Sequence, residues 1–373
     1  MSHRATPGEP SEAKGELGRE TTQIFEAPRL SPQQILARGA LVLCLLFLIF
    51  GVLIPQFASY GEIWDAIRSL TPLGLVVMVG LTLLIEFLKG LGPSLLIDRL
   101  TPSHAFLAQE AAAVVSNTIP GPSGTASKFR TYTRYGIDAV DFTRGTAMNG
   151  AWNNVIVLVL PTIGMILLSF QDDVSGRVWA ITLIALGISV VAIALGVAVV
   201  RSERFARWFG RTSGRVVNWA RGVVHRPPTE AMGEAVVRFR FDVVATAKER
   251  GFRLTAILTA KEFTTYLALL VSLRSLDIGR VDLTAIEVFA SYCLVRLLTI
   301  IELTPGNVGI AEALYIATLT WAAPNTSQDV IVAAVFVFRM FTYLGPIVFG
   351  GVCWLWLRRY FRRHPIQHHH TVG

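Results

Sequence analysis

A small set of ionisable side chains lies inside or at the edge of long apolar runs: Glu86 and Lys89, Lys261 and Glu262, Arg296, Glu302, Glu312 and Arg339. Such a group costs on the order of 3 kcal/mol in a membrane helix, so it pairs or lines a polar pathway. Glu86 and Lys89 are three residues apart, the spacing of a pair on one helix face. Arg296 and Glu302 precede the sequence Pro305-Gly306-Asn307-Val308-Gly309, and Glu312 follows it. Arginine and lysine in such places suit the oxygens of a phosphate or carboxylate.

A second constellation is conformational. Pro120-Gly121-Pro122-Ser123-Gly124-Thr125-Ala126 and Pro305-Gly306-Asn307-Val308-Gly309-Ile310-Ala311 both read Pro-Gly-x-x-Gly-x-Ala. Proline removes a backbone donor and glycine relaxes the helix, so the chain unwinds at both places. Unwound backbone at membrane depth is tolerated only when buried in protein or lining a watery cavity. Each break is followed by an arginine at or within a span, Arg144 and Arg339, and the first also by Lys128, Arg130 and Arg134. The competing readings are a packing kink at each break and, for Lys128, Arg130 and Arg134, a solvated loop.

The elements that carry these residues are membrane spans. The chain is 52% hydrophobic and 16% charged, with a mean hydropathy of +0.51, where ordinary globular domains run nearer a quarter charged. Apolar runs near 38–57, 70–97, 146–168, 178–200, 254–273 and 330–357 approach or exceed the ~20 residues that cross a bilayer core. Weaker segments at 104–119, 284–303 and 309–323 adjoin the breaks. The fold expected is all-α, a polytopic transmembrane bundle with two inverted repeats, each containing a Pro-Gly-broken or re-entrant helix. Residues 1–36 read as a disordered cytoplasmic arm, 37–357 as the membrane domain and 358–373 as a cytoplasmic tail. The first run is longer than a signal-peptide core and lacks a cleavage site, so it reads as a retained span.

Orientation follows the basic residues. Residues 201–253 carry twelve Lys/Arg against five Asp/Glu, and Arg358, Arg359, Arg362 and Arg363 follow the last span. The loop 201–253 and both termini are therefore expected in the cytoplasm of a multi-pass plasma-membrane protein. Phe205, Trp208, Phe209 and Trp219 interleave with arginines in that loop, as in an interfacial helix or as plain topology charge. No nucleic-acid motif accompanies the basic balance, and no nucleic-acid partner is expected. Cys44, Cys293 and Cys353 lie in apolar segments without metal spacing, and His368–His370 reads as a solvated tail. Asp172-Asp173 reads as a turn. Walker A, GxSxG and HExxH signatures are missing, so no cofactor, metal or catalytic set is expected.

Asn117-Thr-Ile-Pro-Gly-Pro-Ser-Gly124 with Lys128 and Arg130, and Pro305-Gly-Asn-Val-Gly309-Ile-Ala-Glu312 with Arg339, resemble the lysylphosphatidylglycerol synthase transmembrane-region family over most of 38–357. Gly306, Gly309 and Glu312 match the family's Pro-Gly-Gly-x-Gly-x-x-Glu, whereas Asn307 replaces a glycine. Pro122 and Ser123 depart from its Pro-x-x-Gly-Gly. The resemblance implies a flippase-like domain that binds or translocates lipid. Residues 358–373 leave no room for the soluble aminoacyl-transferase domain of the full-length synthases, so aminoacylation is not expected. The site implied comprises Pro120, Gly121, Gly124, Lys128, Arg130, Arg144, Arg296, Glu302, Pro305, Gly306, Gly309, Glu312 and Arg339, with anionic phospholipid or polyprenyl-phosphate lipid as ligand. The alternative is a non-transporting accessory subunit that anchors a lipid-linked glycosyltransferase or cell-envelope synthase through the basic loop.

Overall fold

The computed structural model describes residues 70–118, 123–171, 174–205, 207–208, 210–212, 214–215, 246, 248–276, 282–301 and 304–363, with Gly61 and Arg68. The N-terminal arm, the first apolar run, Pro120, Gly121, Asp172, Asp173, Glu302, most of the basic loop and the tail beyond Arg363 lie outside the described residues. Those described are helical apart from short connections and one isolated bridge.

In chain order the helices are α1 (Pro72–Leu96), α2 (Pro102–Thr118), α3 (Ser123–Arg134), α4 (Ala139–Leu168), α5 (Gly176–Arg201), α6 (Gly251–Arg274), α7 (Ala285–Leu298), α8 (Ile310–Ala322), α9 (Gln328–Arg339) and α10 (Gly345–Arg363). Five stretches are long and apolar enough to cross a membrane: α1, α4, most of α5, α6, and Gln328–Arg363, which runs through α9 and α10. Their starts are written in the sequence. Thr71 caps α1 by accepting from Gly74 N at 3.1 Å, with Pro72 in the first turn, where its missing donor costs nothing. Asp138 caps α4 through Asp141 N at 2.7 Å. Thr284 and Glu287 form a reciprocal capping box at the head of α7.

The remaining helices are too short to cross alone. α7 and α8, of 14 and 13 residues, extend only about 20 Å at 1.5 Å per residue, against a core of ~30 Å. They flank the second break and form a hairpin. Thr284 at the head of α7 pairs with Gln171 at the foot of α4, and Asp282 N donates to Thr326 just beyond α8. Both ends of this hairpin thus open at the end of the bundle where α5 begins, since Arg177 donates to the Trp321 carbonyl.

α2 and α3 form a second hairpin around the first break. His104 near the start of α2 stacks on Tyr135 just after α3, with centroids 4.1 Å apart, and Tyr135 also meets Phe361 near the end of α10. This hairpin opens at the opposite end of the bundle. α1 and α6 run antiparallel, as the Leu70–Leu276 bridge and the bond from Arg250 to the Leu95 carbonyl fix.

α7 is buried nearly all round, from Glu287 to Leu297, and α9 from Val330 to Phe338. A helix apolar on every face belongs at the centre, and both lie in the main core with α4, α5, α6 and α8. A smaller core of Ile97, Leu100, Phe129, Tyr132 and Phe142 seats α3, with Arg130 and Arg134 on its exposed side. Large apolar side chains on the outside, among them Leu73, Val76, Leu183, Val190, Val348 and Val352, form the surface that lipid solvates.

Candidate functional site

The second break is a short unwound segment with three left-handed residues in a row of five: Gly306 (φ 58°), Asn307 (φ 53°) and Gly309 (φ 83°). Asparagine is among the few L-residues that accept this region, which explains how Asn307 replaces the glycine of the family pattern. Its side-chain amide also donates to the Thr299 carbonyl at 2.9 Å, closing a backbone acceptor left open at the end of α7.

Two groups lock the segment. Glu312 accepts from Gly309 N at 2.6 Å through Oε2 and from Arg339 Nε at 2.6 Å through Oε1. Arg339 Nη2 in turn donates to the Gly306 carbonyl at 2.7 Å. Acid, break and arginine are thereby one closed ring of charge-assisted bonds. The arginine that follows the second break in sequence is its clamp.

The end of α2 meets the second break through Tyr343. Its hydroxyl donates to the Asn117 carbonyl at 2.6 Å, three residues before Pro120, and its ring covers Gly306 so closely that a Cβ there would lie 2.5 Å from Cε2. Tyr343 projects from the π-helical turn Met340–Leu344, between α9 and α10. Such turns carry an extra residue and re-aim the side chains around them. Hairpins opening at opposite ends of the bundle are therefore joined tip to tip.

Arg296 forms the second buried pair. Its Nε and Nη2 donate to Glu262 Oε2 and Oε1 at 2.9 and 2.8 Å, a bidentate fork. Lys261 Nζ approaches Glu262 Oε1 at 2.8 Å and also donates to Asn153. Tyr292 OH adds a 2.6 Å bond to Glu262 Oε2. Buried Tyr315 is within electrostatic range of Glu262, Arg296 and Arg339, so the two arginine pairs share one neighbourhood.

Lys89 and Glu86 pair at 2.6 Å, as their spacing predicts, and Lys89 is within electrostatic range of Lys261. Lys128 donates to Gln109 on α2 at 2.6 Å and is within range of Lys89 and Glu110. The polar belt therefore runs from Lys128 through Glu110, Glu86, Lys89, Lys261, Glu262 and Arg296 to Arg339 and Glu312. Along it five cations face four carboxylates. Gly124 faces Ser116 across the α2–α3 hairpin, where a Cβ would overlap the serine side chain. Arg130 and Arg144 are exposed on α3 and α4, and Arg134 lies over the Phe361 ring at 5.0 Å.

Sequence reasoning missed Glu110, Asn153, Tyr292 and Tyr343. Glu110 stood alone in an alanine-rich segment with no partner at helical spacing. The tyrosines carried no signal beyond ordinary apolar patterning. An open cleft of roughly 570 Å³ follows one face of α8, lined by Ala313, Ile316, Ala317, Thr320 and Trp321, with Arg177 and Gln328 at its mouth.

No curated protein matches the chain. A model of the family described as "Lysylphosphatidylglycerol synthase TM region" matches residues 35–350, which takes in both hairpins and the whole polar belt. By that match the chain belongs to the lysylphosphatidylglycerol synthase transmembrane-region family.

Proposed function

We propose that this protein translocates an anionic lipid, a phospholipid or a polyprenyl phosphate, between the leaflets of the plasma membrane without an ATPase of its own. The observation that carries the reading is the buried polar belt that ends on an unwound, glycine-rich break. Charges at this depth are expensive and mark pathways for polar groups, and discontinuous helices meeting mid-bundle are a recurrent transporter plan. An excess of cations along the belt suits an anionic headgroup, while the cleft along α8 gives acyl chains a route from the membrane.

In this reading the two hairpins are the halves of an inverted repeat. The Arg201 end of the bundle, with the basic loop, the tail and both termini, faces the cytoplasm. Arg339 and Arg296 are held by Glu312 and Glu262 in the resting state, so the headgroup competes for them instead of finding them bare. The chain acts as a carrier and not as an enzyme.

The test is scrambling of fluorescent phosphatidylglycerol in proteoliposomes. Glu312→Gln and Arg339→Lys, each first checked for monodisperse elution, are expected to slow scrambling at least tenfold. Unchanged rates would remove both residues from the mechanism. Stoichiometric co-purification of a glycosyltransferase, with no lipid movement by the isolated protein, would favour the accessory-subunit role.

A further inference from the structure

Glu110 is the one member of the belt that no donor serves. It is fully buried on α2, and neither carboxylate oxygen has a hydrogen-bond partner. Glu86, 1% exposed on α1, gives one oxygen to Lys89 and leaves Oε2 equally unserved. The two carboxyl groups lie within hydrogen-bonding reach of each other. Two adjacent buried carboxylates cannot both stay ionised at reasonable cost, and an ionised carboxylate with no donor forfeits its full hydration.

One proton removes both problems, because a neutral Glu110 donates its O–H to Glu86 Oε2 and satisfies an oxygen on each side. We propose that Glu86 and Glu110 form a proton-binding site holding one shared, exchangeable proton. The groups facing it are Lys89 on α1, Lys128 on α3 and Cys353 on α10. The two ammonium groups disfavour a metal cation there and leave the proton as the fitting ligand. Lys128 is itself held by Gln109, the neighbour of Glu110.

The site is placed to report on the breaks. Asn117, whose carbonyl takes the Tyr343 hydroxyl, is two helical turns beyond Glu110 on the same helix. On the other side the Glu110 carbonyl packs directly on Gly350 of α10, where a Cβ would overlap it. Loss of the proton sets two like charges between α1 and α2 and favours separation of these helices. The proton site stands on its own geometry, whereas its coupling to lipid movement rests on the transport reading above.

Infrared spectroscopy of the purified protein tests the site without any transport. At neutral pH the wild type is expected to show a protonated-carboxyl stretch that shifts in D2O and disappears in Glu110→Gln. Glu86→Gln is expected to move its frequency, which keeps the test decisive should the first variant fold poorly. An absent band, or one unaltered in both variants, overturns the proposal, as does its displacement by sodium at constant pH. In proteoliposomes a pH gradient is expected to change scrambling at least threefold in the wild type and not in Glu110→Gln. A gradient-independent wild type overturns the coupling. A wild type that moves no lipid refutes the transport reading and leaves the band to decide the proton site.

Discussion

Arg296 and Glu262 meet in a fork that Tyr292 and Lys261 complete, so the carboxylate takes donors on both oxygens. Removing one partner from such a set strands the others. Glu262→Gln leaves a guanidinium and an ammonium buried without a counter-charge, a loss of about 3–5 kcal/mol. Replacing both members by apolar residues of similar volume, Glu262→Leu with Arg296→Met, strands only Lys261 and is expected to cost clearly less than the sum of the two single changes. Thermal unfolding of the four proteins in one detergent measures the coupling. If the double variant is as unstable as the sum, the fork contributes no pairwise energy and its role is to hold charge for a ligand.

At the scale of the element, the second break depends on backbone that only a few residues accept. Gly306→Ala must adopt φ 58° and also displace the Tyr343 ring from 2.5 Å, at a cost of about 2–4 kcal/mol when strain and overpacking are added. Asn307→Gly keeps the conformation and loses the bond to Thr299, about 1 kcal/mol. A Tm drop several times larger for the first than for the second is the expected result, and equal drops would mean the left-handed segment is not under this constraint. The break itself was legible, because proline and glycine declare it in sequence. So were the long spans and the Glu86–Lys89 pair, whose spacing is local. The pairing of Glu262 with Arg296 was not, since they are 34 residues apart on different helices. Glu110 was not either, because a lone acid in an alanine-rich helix says nothing about the helix it faces. The clamp on the break shows the same boundary: Arg339 and Glu312 were each legible as costly charges, but only the fold makes them partners.

For the whole molecule, the organising fact is that two helical hairpins open at opposite ends and touch at their tips. The ends can be assigned from contacts among the described residues. Arg177, Trp321 and Gln328 share one cleft, so α5 and α9 start together. The far end of α5, Arg201, and that of the stretch running through α9 and α10, Arg363, consequently emerge together at the other side. Both of those ends are basic: Arg201, Arg204, Arg207, Arg211 and Arg215 follow α5 closely, and Arg358, Arg359, Arg362 and Arg363 finish α10. By the positive-inside rule this is the side expected in the cytoplasm. In a background with Cys44, Cys293 and Cys353 replaced by alanine, Ser175→Cys in intact cells is expected to react with an impermeant maleimide. Ser202→Cys and Arg363→Cys are expected to react only after the membrane is opened. Labelling of Ser202→Cys from outside would invert the orientation and exchange the roles of the hairpins. The α2–α3 hairpin, which carries Glu110, would then open outward, and the α7–α8 hairpin, which carries Glu312, would open to the cytoplasm.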